Sequence, residues 1–502
     1  MINRNNNISP FTRLTARIEK FSEKIFIEQK LNNWPGYLLF MLLALGMGWV
    51  MAHNYLAGLG ITGLILGVAV ALTCMLNTEA GLYINMTYSF FIANFNRLLF
   101  YDELQIGVYS DLLVLITFLS FIIRRVSLQK SINKFTKAPV VVTLLVVYGY
   151  MAIELFNPNA NFLAGWFPAF RKIMATLLIL FICFNVFESR AALKRFITFL
   201  FFLVTAVAVY GCIQQWHGFF PFEMNWLAED PKRFAMTFVA VGGRKMSTMP
   251  DAPALAIVMS TCSAFFIVLA TGQRKLRTRI VMICGIILML LAMSYSATRT
   301  ANAMLVAGLV MFMLLTMNKK STRIFAVGAV LAFLFLMYAP INSPQIDSFR
   351  QTFEGSNDAS FNVREVNRKG IQPYIYAHPI GGGLGTTGAE GFTYNPGHPL
   401  AGFPPDSGYL KKALELGWIG FSLMVFLYFL VLKTGIRGHF SSKDEEIKLV
   451  YAAGTAAIFA FYVGDFSQVA IGQITDVFVY YPLIAVLLKA KEFDQSANTL
   501  TT

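Results

Sequence analysis

Three arginines carry the first chemical signal in this chain. Arg299 sits in SYSATRTANAM, between two closely spaced apolar runs. Arg244 sits in VGGRKMSTMPDAPALA, just before another such run, and Arg171 opens a run after a Trp-Phe-Pro turn. An arginine costs roughly 2.5–3.5 kcal/mol at the centre of a membrane helix on insertion scales, and less near its ends. Guanidinium stays protonated and binds phosphate oxygens in a bidentate manner. Three such groups on one face would form a cationic pocket for a phosphate or pyrophosphate at the membrane surface. The plainer alternative is snorkelling to lipid headgroups.

The second signal is the polar stretch from Pro340 to Gly420, the one long interruption among apolar runs. Arg364 and Arg368 are spaced i, i+4, so they share a face of a short helix and can reach one anion or simply stay solvated. AHPIGGGLG (Ala377 to Gly385) follows, then GHPLAGFPPDSGYL (Gly397 to Leu410). The glycine run can make a backbone anion nest or a turn, and it lacks the Lys-Ser/Thr ending of a P-loop. His378 and His398 each precede a proline, and imidazole titrates near neutrality, so either can act as a base. Asp406, at the mouth of an apolar run, is another base candidate; its alternative role is to cap the following helix. Glu354, Asp358, Glu365 and Glu390 have no ligand-like spacing, so the sequence suggests neither a metal nor another cofactor.

These residues must be positioned by a membrane bundle. The chain has 502 residues, 56% of them hydrophobic and only 14% charged, against about 25% charged in a soluble protein. Its apolar runs predict an all-α, polytopic transmembrane bundle of about 12–14 spans, at roughly 20 residues each, with one large extracytoplasmic loop region. Residues 1–35 read as a basic, amphipathic cytoplasmic segment, 36–339 as transmembrane helices, and 340–407 as the large loop. Residues 408–489 read as the C-terminal helices and 490–502 as a cytoplasmic tail. The net charge of +14 is spread over alternate loops, which is a topological pattern and not a nucleic-acid patch. The five cysteines lie in or beside apolar runs without CxxC spacing, so neither a disulfide framework nor a zinc site is implied.

From Arg244 onward the chain resembles the O-antigen ligase and Wzy-type polysaccharide polymerase superfamily of bacterial membrane proteins. RKMSTMPDAPALA matches its loop arginine and span entry. SATRTANAM matches its S-x-S-R turn, and the segment from Arg364 to DSGYLKKALELGWIG matches its large loop and exit helix. Ser407, Gly417 and Gly420 keep the family's spacing, while Asp406 stands at the family's histidine position.

The resemblance implies a metal-independent glycosyltransferase in the inner (cytoplasmic) membrane, working at the periplasmic face. The donor would be a glycan on undecaprenyl pyrophosphate. The acceptor would be a lipid A core sugar, a growing lipid-linked chain or a protein hydroxyl, with membrane lipids as surroundings. The products would be O-antigen, lipopolysaccharide or exopolysaccharide. Arg244 and Arg299 would hold the pyrophosphate, and Asp406 or His398 would be the base. Arg171, Arg364, Arg368 and His378 are further candidates for substrate contact. A lipid-linked glycan flippase is the rival reading; it should carry charges deep within several spans and show pseudo-symmetric halves, and the sequence shows neither.

Overall fold

The structure is a computed structural model, and it describes residues 33–100, 106–124, 128–161, 163–239, 242–341, 343–353 and 359–496. The basic N-terminal segment expected over 1–35 lies almost wholly outside the described residues. Among the described residues the chain is helical, apart from a ribbon of two-residue strands. The helices are α1 (Trp34–His53), α2 (Tyr55–Leu76), α3 (Thr78–Phe100), α4 (Ile106–Arg124), α5 (Leu128–Thr136), α6 (Pro139–Ile153) and α7 (Trp166–Val186). After α8 (Arg190–His217) come the short α9 (Pro221–Ala228) and α10 (Pro231–Thr237), then strands β1 (Phe238–Val239) and β2 (Gly242–Gly243). Next are α11 (Ala252–Thr271), α12 (Leu276–Tyr295), α13 (Arg299–Thr316) and α14 (Lys320–Tyr338). The large loop holds α15 (Pro344–Phe353), α16 (Ala359–Ala377) and α17 (Gly388–Tyr394). The chain ends with α18 (Gly408–Ser441), α19 (Glu445–Ser467) and α20 (Ile474–Ser496).

Among the described residues, eleven helices are long and apolar enough to cross a membrane, with a shorter apolar helix at Gly107–Ile123. The chain is thus a multi-pass membrane protein. It divides into two compact units. The smaller holds residues up to Ile84 together with Leu112–Lys130. Within it α1 packs on α2, and the Ser120 hydroxyl donates to the Met75 carbonyl at 2.9 Å.

The larger unit carries the candidate site and is centred on α11 and α19. α11 is apolar around its whole circumference, which marks a buried helix, and 83% of its apolar window is buried, against 78% for α19. α11 packs on α8, α12, α13, α19 and α20, while α19 packs on α11, α13, α18 and α20. Asp251 caps α11 by accepting from the Ala254 amide at 2.7 Å, which fixes where the loop after α10 enters the bundle.

Candidate functional site

The loop-rich end of the larger unit is assembled on the last turn of α19. Asp465 accepts from Lys412 Nζ at 2.5 Å, from Tyr428 Oη at 3.2 Å and from the Ala470 amide at 3.1 Å. Its carbonyl accepts from Ser407 Oγ. The next residue's carbonyl, on Phe466, accepts from Arg368 Nη2 at 2.8 Å, and the Arg368 guanidinium lies 4.6 Å from the Phe466 ring centroid. Ser467 shares a hydrogen bond with Thr300, at 2.9 Å. Three consecutive residues thus bring together the entry of α18, the basic face of α16 and the start of α13. Cations near a helix C-terminus complement its partial negative charge. A Cβ on Gly408 would lie 1.8 Å from Asp465 Oδ1, so the entry of α18 needs glycine to seat against that carboxylate.

Arg299 is the first residue of α13, at the positive end of that helix. Thr298 occupies the cap position without capping; its hydroxyl accepts from Arg244 Nη2 at 2.8 Å. Arg244 Nε donates to the Ser296 carbonyl at 3.1 Å. The two arginines are therefore held on one turn, close enough to repel. Burial lowers the pKa of Arg244, Asp251 draws it back up, and Arg299 lowers it further. Bringing like charges together costs free energy that an anion bound between them would return.

The backbone around this pair is strained. Among the described residues, only Ser247 (φ 54°) and Ala297 (φ 49°) are non-glycine residues with positive φ. One follows Arg244 by three positions and the other precedes Arg299 by two. Such strain persists only where surroundings impose it, and it clusters at functional sites. Here Gln214 imposes it: its Oε1 accepts from the Ser247 amide at 2.7 Å and its Nε2 is anchored on Glu223 at 2.6 Å. Ser247 Oγ donates to the Val207 carbonyl at 2.6 Å. A further arginine that sequence reading passed over braces the same loop. Arg97 is buried, donates to the carbonyls of Met249 and Pro250, and lies 4.4 Å from the Trp226 ring centroid.

The remaining candidates are placed as follows. Arg171 is instead ion-paired with Asp111. Arg364 lies one turn before Arg368, half-buried, with no ion pair or hydrogen bond among the described residues. His378 donates from Nδ1 to the Tyr374 carbonyl at 2.8 Å and stacks on that ring at 4.0 Å.

His398 is buried and committed at both nitrogens. The Leu400 amide donates to Nδ1 at 3.1 Å, so Nε2 carries the proton and donates to the Asn159 carbonyl, also at 3.1 Å. Burial lowers its pKa, the Asn159 contact raises it and His378 lowers it, which leaves a net fall and a neutral ring. Asn159 in turn donates to the Gly381 carbonyl at 2.8 Å. His398 is thus part of the brace that holds the glycine run.

That run does not form an anion nest. The Gly382 and Gly383 amides donate to the Leu414 and Glu415 carbonyls of α18 at 2.8 and 2.9 Å. The loop plugs a break in α18 at Gly417 (φ 64°), where a Cβ would lie 2.0 Å from the Pro379 carbonyl oxygen.

Asp406 remains. Ser407, not Asp406, caps α18, by accepting from the Leu410 amide at 3.4 Å. The Asp406 side chain is half-buried and has no ion pair or hydrogen bond among the described residues. It is a carboxylate at the entry of α18, next to the Ser407 that is tied to the Asp465 carbonyl.

No curated protein matches this chain. Residues 284–425 match the family model described as O-Antigen ligase. That stretch includes Arg299, Arg364, Arg368, His378, His398 and Asp406, and it leaves out Arg171 and Arg244. Over that stretch, set in a helical bundle, the chain is similar to the O-antigen ligase family.

Proposed function

We propose that the chain transfers or polymerises glycan from a polyprenyl diphosphate carrier, with undecaprenyl pyrophosphate as the carrier and the periplasmic face as the place of reaction. One observation carries this reading. Arg244 and Arg299 share a strained turn, Arg368 reaches the end of α19 that Ser467 ties to the start of α13, and Asp406, at the entry of α18, has no ion pair or hydrogen bond among the described residues. In this reaction an acceptor hydroxyl attacks C1 of the donor sugar as the bond from C1 to the diphosphate oxygen breaks. The hydroxyl proton passes to Asp406, and the electron pair leaves with the diphosphate. Arg244 and Arg299 stabilise the charge that develops there, which is where preorganised donors contribute most. Attack opposite the leaving group inverts the configuration at C1.

On this reading Asp406 is the base and His398 is a positioning residue, since both imidazole nitrogens are already engaged. The test is single-turnover transfer in proteoliposomes loaded with an undecaprenyl-diphosphate-linked oligosaccharide, offered either a lipid A core acceptor or a second lipid-linked chain. Asp406→Asn should slow transfer about 100-fold or more, the usual worth of a general base. Full activity in Asp406→Asn would refute the assignment, and the productive acceptor separates ligase from polymerase.

A further inference from the structure

At the opposite end of the larger unit lies a cavity of about 1070 Å³ that the glycan reaction does not use. Volumes of roughly 300–1,000 Å³ hold drug-sized ligands, so this one is large enough for part of a lipid. Its wall is apolar, with Phe201, Phe202, Phe266, Val281 and Met282 from α8, α11 and α12. Its rim is polar and unevenly charged. Five cations (Arg190, Lys194, Arg274, Lys275 and Lys319) face three carboxylates, those of Asp444, Glu445 and Glu446.

The carboxylates are already spoken for. Arg190 pairs with Asp444 at 2.7 Å, Lys194 with Glu446 at 2.8 Å and Lys319 with Glu445 at 2.5 Å. Arg274 and Lys275, in the turn between α11 and α12, make no ion pair among the described residues. Thr271, Gln273 and Thr278 flank them on the same rim. The cavity thus offers an apolar wall, two uncompensated cations and neutral hydrogen-bonding groups at its mouth. Basic pockets between membrane helices bind anionic lipid headgroups.

We infer that this cavity binds an anionic glycerophospholipid, its phosphate held at Arg274 and Lys275 and an acyl chain laid along Phe201, Phe202 and Met282. The bare alternative is that the two cations act only through general surface charge, as basic loops do in setting topology. Arg277 and Arg279 provide the control. They follow in the first turn of α12, are exposed like Arg274 and Lys275, and do not line the cavity.

The experiment measures lipid retained on the full-length chain in detergent by native mass spectrometry, after titration with phosphatidylglycerol or phosphatidylcholine. Phosphatidylglycerol should be retained in preference to phosphatidylcholine. The double change Arg274→Gln, Lys275→Gln should lower retention about 30-fold, the worth of two cations near a lipid surface. Arg277→Gln with Arg279→Gln should change it less than about twofold; an equal fall in both pairs would reduce the effect to surface charge and overturn the site. Thr198→Trp fills the cavity from its exposed edge without altering charge and should also lower retention. Unchanged retention there, or equal retention of tail-free glycerol phosphate, would overturn the seating of an acyl chain.

Discussion

Replacing Arg244 by Lys keeps the charge and removes the geometry. Arginine has five N–H donors in a planar fork. Arg244 uses Nε on the Ser296 carbonyl and Nη2 on Thr298 Oγ1, on the turn that begins α13. The remaining donors of the fork are left to face a ligand shared with Arg299. A lysine ammonium has three donors on a flexible stem and cannot hold both sides of that turn while also presenting a bidentate edge. Loss of one preorganised donor to developing charge costs roughly 2.7–4 kcal/mol, a fall of about 10²–10³-fold in rate. The two hydrogen bonds to the turn contribute about 0.5–1.5 kcal/mol each to stability, so the melting temperature in detergent is measured alongside transfer. Arg299→Lys and the double variant complete a cycle. If both arginines grip one diphosphate, the combined loss is smaller than the product of the single losses, by about 0.5–3 kcal/mol of coupling. Independent, multiplying losses would refute the shared site, and so would an Arg244→Lys enzyme that keeps a third or more of the native rate.

The other predictions concern what holds the site in place. Lys412→Met leaves the fully buried Asp465 carboxylate uncompensated, so it should destabilise the protein by about 3–5 kcal/mol. Adding Asp465→Asn should recover part of that loss in a thermal melt. Gly417→Ala places a Cβ against the Pro379 carbonyl at positive φ, and loss of monodisperse folded protein on gel filtration is expected. Glu390 is pushed up by burial, but Lys411 and Lys172 more than offset this and hold its pKa at about 2. Its contribution to stability is therefore present above the ordinary carboxylate range and is lost as pH falls from about 4.5 towards 2. Glu390→Gln should flatten the acid limb of a stability–pH profile, by a modest amount because the pair is a third exposed.

The helical membrane bundle was legible in the sequence because hydropathy is a local signal, and Arg244 and Arg299 drew notice for the same reason, as cations out of place. The supports were not, because their partners are distant. Asp465 reads as one acid near the end of an apolar run, and Lys412 as one of two lysines after DSGYL. Nothing local says that they meet across 53 positions. An ionisable residue inside a span is a functional-site hypothesis by default, and that rule applied to Asp465 would have pointed to the end of α19. Arg97 was similarly hidden within α3, though its guanidinium reaches Met249 and Pro250.

The two base candidates show why residue type alone did not rank them. Imidazole has the better intrinsic pKa for a base at neutral pH, which favours His398. A base must also have a free lone pair aimed at solvent or substrate. In His398 the one lone pair is taken by the Leu400 amide, and the one proton is given to Asn159. Asp406 is the poorer base by type, yet its oxygens make no hydrogen bond or ion pair among the described residues. If Asp406 is the base, Asp406→Glu, which keeps a carboxylate, should retain more transfer than Asp406→Asn. Equal losses in the two variants would remove Asp406 from the proton transfer.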